Sequence, residues 1–238
     1  MTTSAVVIGA SGGIGRALVD ALVARGAHGT VFALSRSGAP APAPARAGIV
    51  DVTDEASVAA AAENVARDGP VGLVIVASGL LHGDGVAPEK AIRSLDPMAM
   101  ATVFAVNTIG PALVAKHFLP LMPRAERCRF AALSARVGSI EDNRLGGWYA
   151  YRASKAALNQ ILRTLAVEAR RTHPGAIVVG LHPGTVTTAL SRPFRPDTDA
   201  PGLFSPAVSA AHLLKVLDGL GPEDTGRVFA WDGARIPA

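Results

Sequence analysis

The fold is decided by the stretch AVVIGASGGIGRALVDALVARG, which occupies residues 5–26. A short apolar strand pattern leads into a loop with Gly9, Gly13 and Gly15, and a helical pattern then runs to Gly26. Glycine lets the backbone turn tightly in such a loop, and the helix that follows points free amides and a positive dipole at a bound phosphate. Because strand, loop and helix come in the required order, the stretch predicts a dinucleotide-binding unit rather than an ordinary glycine-rich turn.

Strand and helix patterns continue to alternate along the chain. Apolar strands are predicted at 5–8, 30–34, 49–50, 71–76, 129–133, 176–181 and 227–230, and helices at 16–25, 54–67, 97–118, 151–171 and 207–217. Apolar strands separated by helices indicate a parallel sheet covered on both faces. No repeat or linker divides the sequence, so we predict that residues 1–238 form a single Rossmann-type α/β domain. Its core would be a doubly wound parallel sheet of about seven strands with helices on both faces.

One connection departs from this alternation. Between the second and third strands, where a crossover helix is expected, residues 39–45 read APAPAPA, and alternate prolines exclude a helix. The sequence leaves three interpretations open for this segment: an ordered polyproline-type connection, a mobile loop, or a proline-rich motif for a partner.

Composition restricts the class of protein. Hydrophobic residues make up 49% of the 238 residues and charged residues 18%, which is too apolar for a disordered chain. The longest aliphatic runs fall far short of the roughly 20 residues that a membrane-spanning helix needs. No basic segment precedes the first strand, and the single cysteine, Cys128, excludes an internal disulfide. We therefore expect a soluble, cytoplasmic protein that does not interact with membranes.

Charge and histidine spacing restrict the ligand. The net charge is +4, but the basic residues are scattered and only 5% of residues are aromatic, so the chain lacks the basic stripe and stacking platform of a nucleic-acid-binding protein. The histidines show no ligand spacing with acidic residues or with each other, so we expect no metal site. A positive balance does suit an anionic small ligand.

The motifs of the chain resemble, in order, those of the short-chain dehydrogenase/reductase family. They are the spacing Gly9-x-x-x-Gly13-x-Gly15, Asp51-Val52 after the third strand, Asn107 in the central helix, Tyr151-x-x-x-Lys155, and the segment PGTVTT at 183–188. The resemblance covers nearly the whole chain. Segments 136–140 and 146–149 are similar to the C-factor or Sniffer-like carbonyl reductase branch. The resemblance implies a nicotinamide-dependent oxidoreductase that acts on a small carbonyl or alcohol.

The resemblance also implies a nucleotide site assembled from several loops. Its members would be Gly9, Ser11, Gly13, Ile14, Gly15, Arg36, Asp51, Val52, Ala77, Ser78, Gly79, Tyr151, Lys155, Pro183, Gly184, Val186 and Thr188. NAD-dependent enzymes place an acid at the end of the second strand, whereas this chain has Ser35 and Arg36 there, which favours NADP(H) over NAD(H). Arg16 either joins Arg36 in binding the 2′-phosphate or is simply solvated.

Tyr151 and Lys155 are the expected catalytic pair. Residues four apart on a helix share a face, so Lys155 can lie beside Tyr151 under the same cofactor. We expect the ammonium and the oxidised nicotinamide to lower the pKa of the tyrosine from about 10 towards about 7. Tyr151 would then act as general acid or base, and Lys155 would also hold the nicotinamide ribose. The resemblance adds Asn107, which would bend its helix and support a water-linked proton path through Lys155.

The serine of the site is an open question. The family usually ends its fifth strand with two serines, the second of which polarises the substrate carbonyl, but this chain has Ser134 followed by Ala135. Ser134 can take this role by a local shift, Ser139 can replace it, or the role is absent; we take Ser134 as the expected residue. Ala135 also motivates an alternative function, a nucleotide-binding regulatory or signalling protein of the same fold with little or no turnover.

Two further expectations concern the substrate and the assembly. The proline-rich segment at about 187–206 is predicted to close over a mainly apolar substrate pocket. By the resemblance, helices at 98–119 and 151–171 would pair between subunits in a homodimer or homotetramer.

Overall fold

The computed structural model describes residues 2–83, 85–194 and 203–238, and its sheet consists of short strands that are mostly buried. Every residue of the first, second and fourth strands is buried. Their apolar residues follow one another instead of alternating with polar ones, as in strands that are covered on both faces. The strands are β1 (Ser4–Ile8), β2 (Val31–Ser35), β3 (Arg46–Ile49), β4 (Val71–Val76), β5 (Cys128–Leu133), β6 (Ala176–His182), β7 (Thr185–Val186), β8 (Leu203–Phe204), β9 (Val228–Ala230) and β10 (Arg235–Ile236).

Eight of these strands form one sheet in the order β3-β2-β1-β4-β5-β6-β9-β10. All neighbours are parallel except β9 and β10, which pair antiparallel at one edge. β7 and β8 form a separate two-stranded sheet. The predicted doubly wound Rossmann-type sheet is confirmed. The main sheet has one strand more than the seven expected. The extra strand is β10, which the sequence did not predict because a two-residue strand carries no periodic pattern.

Helices cover both faces of the sheet. They are α1 (Gly13–Arg25), α2 (Glu55–Ala66), α3 (Pro97–Phe104), α4 (Gly110–Phe118), α5 (Tyr149–Thr172) and α6 (Pro206–Gly219). α1 and α6 bury Leu18 and Leu213 against one face, while α2, α4 and α5 bury Val58, Val114 and Leu158 against the other. Because helices cover both faces of the sheet, the carboxyl ends of its strands are the part that remains free to form the site.

The helix predicted at 97–118 is interrupted. It begins as expected, with the Asp96 carboxylate accepting a hydrogen bond from the amide of Ala99 and with Pro97 in the first turn. A π-helical turn at Ala105–Ile109 then separates α3 from α4. Such turns insert one extra residue, are rare, and frequently occur at functional sites. The apolar spacing of the sequence does not mark this interruption, whereas the family resemblance implied a bend at Asn107, which lies in this turn.

The proline-rich connection is packed against the protein. Ala41 and Ala45 are partly buried against the hydrophobic core, and the guanidinium of Arg16 donates a hydrogen bond to the carbonyl oxygen of Pro40 at 3.2 Å. These contacts agree with the first of the three interpretations, an ordered connection.

Among the described residues, the segment Pro97–Leu121 is the one helical stretch long and apolar enough to cross a membrane by length and composition. The sequence-based expectation was drawn from runs of aliphatic residues alone, so it did not include this segment. Val114 and Phe118 of this segment are completely buried in the core below the sheet, as in the core helix of a soluble protein. Met98 and Ile109 remain exposed, by 74% and 52%.

Candidate active site

A cavity of about 530 Å³ lies at the carboxyl ends of the central strands, where the strand order reverses between β1 and β4. Doubly wound sheets bind their ligands at this position. Most of the predicted site residues line the cavity: Gly9, Ser11, Gly13, Ile14, Gly15, Arg36, Asp51, Val52, Ala77, Ser78, Gly79, Ser134, Tyr151, Lys155, Pro183 and Thr188. Asn107, Gly184 and Val186 do not line it. The structure therefore brings together, from many separate segments, most of the side chains that the sequence singled out.

The glycine loop fits a nucleotide diphosphate. Gly9 has a φ of +86°, and a Cβ on it would lie 2.6 Å from the amide nitrogen of Ser78. A Cβ on Gly15 would overlap the carbonyl oxygen of Gly9. Gly12 precedes α1 without any side-chain cap, so the amides of the first helical turn stay free for an anion.

A buried hydroxyl on the facing loop supports the same conclusion. The Oγ atom of Ser78 is inaccessible to solvent and has no hydrogen-bond partner, although the residue lines the cavity. Buried polar atoms normally have a partner, so an unpaired one beside a cavity suits a bound polar ligand. Together with the glycine loop, this hydroxyl shows that the residues present fit a dinucleotide.

Arg36 and Asp51 line the cavity just after the ends of β2 and β3. Arg36 follows β2 and is exposed. The Asp51 carboxylate accepts hydrogen bonds from the hydroxyl and amide of Thr53, at 2.7 and 2.9 Å, and these bonds, with a smaller effect of the Arg36 charge, lower its pKa. Arg16 instead pairs with Asp20 at 3.2 Å and lies outside the cavity lining, which agrees with the solvated alternative.

Tyr151 and Lys155 lie one turn apart on α5, and Nζ of Lys155 is 5.8 Å from the centroid of the Tyr151 ring. Lys155 is only 3% exposed, and its Nζ donates a hydrogen bond to the carbonyl oxygen of Leu133 at 2.7 Å. Burial lowers the pKa of Lys155 to about 8 and raises the pKa of Tyr151 to about 12. The expected fall of the tyrosine pKa towards 7 includes the charge of the oxidised nicotinamide and stays a prediction, whereas in the protein alone desolvation by burial raises this pKa. Tyr151 is therefore a neutral phenol, the form that donates a proton.

Asn107 lies in the π-helical turn, completely buried. Its side-chain oxygen accepts a hydrogen bond from the amide of Leu80, and its Nδ2 donates to the Leu80 carbonyl and to the hydroxyl of Ser154. These contacts fix the loop after β4 to the helix that carries Tyr151. The Asn107 side chain therefore stabilises the site without lining the cavity.

Gly184 and Val186 support the site from outside the cavity. A Cβ on Gly184 would lie 2.8 Å from the Phe204 ring and 3.0 Å from the Trp231 ring, and the φ of Gly184 is +78°. Val186 is only 4% exposed and pairs with Phe204 in the small sheet. Of the predicted substrate segment at 187–206, residues 195–202 lie outside the described residues.

Ser134 lies at the cavity, but its hydroxyl is directed elsewhere. It donates a hydrogen bond to the Oδ1 atom of Asn159 at 2.6 Å. Ala135 follows with extended backbone, φ −151° and ψ 150°, so the side chains at the two positions point to opposite sides. The hydroxyl of Ser139 donates to the carbonyl of Ala238 at 3.1 Å and is not part of the cavity lining. The Ser134–Asn159 pair was not apparent from the sequence.

We expect Ser134→Ala to lower kcat for carbonyl reduction less than about tenfold, because its hydroxyl donates to Asn159, whereas loss of a donor to the developing oxyanion would cost on the order of 10²–10³ in rate. Steady-state kinetics with a single ketone measure the change. A loss of 10²-fold or more in Ser134→Ala would return the carbonyl contact to Ser134.

Several cavity residues were missed by the sequence analysis. They are Ile8, Gly12, Ser35, Val50, Thr53, Leu80, Thr102, Val106 and Leu133, whereas Ala189 and Leu190 belong to the segment at about 187–206 that the sequence predicted to close over the substrate pocket. Most of them adjoin a motif residue in the chain, so the motif neighbourhood was the available signal. Thr102 has no motif residue beside it, and its place in the cavity lining depends on how α3 packs.

Comparison with known proteins adds to this geometry. A family model described as short chain dehydrogenase matches residues 3–199. C-signal of Myxococcus xanthus is 37% identical over 148 residues, which cover 62% of this chain and 83% of that protein. The 1-hydroxy-2-glutathionyl-2-methyl-3-butene dehydrogenase of Rhodococcus sp. (strain AD45) is 34% identical over 239 residues, 97% of each chain. The crystal structure of an NADPH-bound carbonyl reductase from chicken fatty liver superposes with a TM-score of 0.87, at 27% identity, over 100% of this chain and 94% of that one.

Proposed function

This chain belongs to the short-chain dehydrogenase family, as the order of its motifs predicted, and we propose that it is an NADP(H)-dependent oxidoreductase. Its reaction would transfer a hydride between the nicotinamide and a carbonyl or secondary alcohol, with Tyr151 as the general acid or base. The match to C-signal agrees with the branch that the sequence resembles. The observation that carries the proposal is the joint placement of the glycine loop, Tyr151 and Lys155 around one cavity.

The residues of the cavity divide the work of such a reaction. When bound, the nicotinamide supplies the hydride that adds to the carbonyl carbon. Tyr151 donates its phenolic proton to the carbonyl oxygen, so that the carbonyl becomes an alcohol and the tyrosine a phenolate. The Lys155 amine, in its protonated form, stabilises that phenolate and offers a proton to restore it. Oxidation of an alcohol would use the same groups in reverse, starting from the phenolate.

Arg36 supports NADP(H) as the cofactor. It follows the end of β2 and lines the cavity. Its guanidinium can form a bidentate pair of hydrogen bonds with a 2′-phosphate. The NADPH in the chicken carbonyl reductase agrees with this choice. Asp51, the nearby acid, uses its carboxylate on Thr53 rather than at the end of β2.

We expect Arg36→Glu to reverse the cofactor preference. The new carboxylate should repel the 2′-phosphate and accept a hydrogen bond from the 2′-hydroxyl, which raises the Kd of NADPH by about 100-fold and lowers that of NADH. Nicotinamide fluorescence titration of wild type and variant with both cofactors measures the change. Arg16→Glu, outside the cavity, is the matched control and should leave both Kd values within about threefold. Tighter binding of NADH than of NADPH by the wild-type protein would contradict the assignment.

The alternative function, a nucleotide-binding regulatory protein with little turnover, is favoured by one observation. Ser134 donates to Asn159 and Ala135 has no hydroxyl, so carbonyl activation rests on Tyr151 alone. A panel of aldehydes, ketones and quinones distinguishes the two. Tight NADPH binding without turnover of any of them would favour the regulatory protein.

We propose a small carbonyl or alcohol as substrate, and a cytoplasmic homodimer or homotetramer that pairs through the central helices. Exposed Met98, Ile109 and Val167 on those helices support the pairing, since large apolar side chains on a surface often mark an interface.

A further inference from the structure

Four aromatic rings form a continuous row that starts at Tyr151. The Trp148 ring contacts the Tyr151 ring with a centroid distance of 6.2 Å, Phe194 follows at 5.2 Å from Trp148, and His82 at 5.4 Å from Phe194. Each pair meets edge to face, with interplanar angles of 79°, 64° and 68°. We call these four side chains the aromatic row. One end of it is the proton donor itself.

The other end of the row contacts a second segment of the cavity lining. The Nε2 atom of His82 lies 3.3 Å from the carbonyl oxygen of Ala189 and 3.1 Å from that of Leu190. A nitrogen that faces two acceptors carries the hydrogen, so His82 donates to this segment. Ala189 and Leu190 line the cavity. The aromatic row therefore links two parts of the cavity lining, Tyr151 at one end and the Ala189–Leu190 segment at the other, while its three other rings lie beside the cavity.

Trp148 holds its place in the row at a conformational cost. Its backbone is left-handed, with φ 51° and ψ 46°, and it is the one non-glycine residue with positive φ among the described residues. Its amide donates to the carbonyl oxygen of Glu89, and Nε of Arg152 donates to the carbonyls of Gly146 and Gly147 at 3.2 and 3.0 Å. A bulky side chain keeps such strain where its surroundings enforce it, and such sites cluster where ligands bind.

The rings of the row are not core residues. Phe194 is 36% exposed, and Trp148 is half-buried. A half-exposed row of rings beside a catalytic phenol has free aromatic surface to offer a substrate. Edge-to-face neighbours present alternating ring edges and faces, and these attract another flat π-system more than a saturated group of equal size.

We infer that the aromatic row makes this site selective for flat, conjugated carbonyl compounds, such as aryl ketones and aryl aldehydes, with Trp148 as the specificity-determining residue. The inference rests on the proposed function and deepens it. A ring that packs against Trp148 places an attached carbonyl beside the phenol of Tyr151. A saturated ring at the same place is thicker and lacks the charge distribution that aromatic edges recognise.

Binding without turnover tests this selectivity. The Tyr151→Phe protein, loaded with NADPH, keeps the ring of the row and cannot donate the proton, so ketone affinity can be measured by calorimetry. Acetophenone and cyclohexyl methyl ketone are a matched pair that differs in aromaticity. We expect acetophenone to bind about tenfold more tightly, and we expect Trp148→Gly in the same background to abolish that ratio.

Trp148→Gly is chosen because glycine adopts the left-handed conformation without strain, so removal of the ring leaves the backbone of the loop free to keep its conformation. Phe194→Leu is a second removal and should lower the ratio in the same direction. Tyr149→Ala, a neighbouring aromatic that is outside the row, should leave the ratio unchanged. Equal affinity for the two ketones, or a ratio unaffected by Trp148→Gly, would overturn the inference while NADPH binding leaves the proposed function standing. Failure of NADPH to bind would instead overturn the proposed function.

Discussion

Replacement of Tyr151 by phenylalanine is expected to lower kcat for carbonyl reduction by about 10³-fold, because a positioned general acid contributes 10²–10⁴ in rate. The ring stays in contact with Trp148, so the wall of the site and the affinity for NADPH should be preserved. Stopped-flow oxidation of NADPH with an aryl ketone measures the chemical step directly.

The neighbouring tyrosine provides the matched control. Tyr149 lies two residues earlier, is 38% exposed, and Tyr149→Phe should change kcat less than about twofold. If the two substitutions had similar effects, or if Tyr151→Phe kept more than about a tenth of the wild-type rate, Tyr151 would not be the proton donor.

The pH dependence follows from the same pair. With the pKa of Lys155 at about 8, the ammonium is present below that pH and lost above it, so kcat/KM for NADPH should fall above about pH 8. The phenol of Tyr151, with its pKa at about 12, stays protonated throughout, so it adds no second limb near neutrality. A rate profile for reduction between about pH 6 and 10 tests both statements, and a limb near pH 7 would show a phenol more acidic than burial allows.

The second large effect is expected at the glycine loop. Gly15→Ala should raise the Kd for NADPH by more than about 100-fold and lower the free energy of unfolding by about 3 kcal/mol, because the methyl group overlaps the backbone carbonyl of Gly9. Nothing flexible is present there to move aside. Fluorescence titration and urea unfolding measure the two effects.

Gly219→Ala is the control for a methyl group added without contacts. Apart from its chain neighbours and its own helix backbone, no atom lies within 4 Å of a Cβ at that position, so the unfolding free energy should change by about 0.5 kcal/mol or less and NADPH affinity should not change. A Gly15→Ala protein with wild-type affinity would mean that the loop does not hold the diphosphate.

The parts of the fold that the sequence predicted are those with local signals. β1 and β4 contain runs of consecutive apolar residues at 5–8 and 73–76, and Asp96 with Pro97 marks a helix start, so these elements follow from short-range preferences. β10 has two residues and pairs only through its neighbour in the sheet, and the π-helical turn around Asn107 depends on packing across α5. Neither feature leaves a trace in the periodicity.

The site also combines features with local sequence signals and features that depend on long-range contacts. Gly9, Tyr151 and Lys155 stand in motifs, and the structure gathers them at one cavity. The pKa values of Tyr151 and Lys155 depend on burial by segments far along the chain, and the left-handed conformation of Trp148 depends on the carbonyl of Glu89. Long-range contacts of this kind are absent from spacing and composition. They are also what distinguishes this site from another with the same motifs.

The strand order has a consequence for how the protein is made. β1 to β4 are adjacent in the sheet and all lie within the first 76 residues, and β5, β6 and β9 are then added on one side in chain order. Because a ribosome delivers the N-terminus first and contacts close in sequence form early, the growing chain can pair each strand as it emerges. The glycine loop would thus be assembled before Tyr151 has been translated, so the N-terminal half of the sheet can serve as the template on which α5 docks.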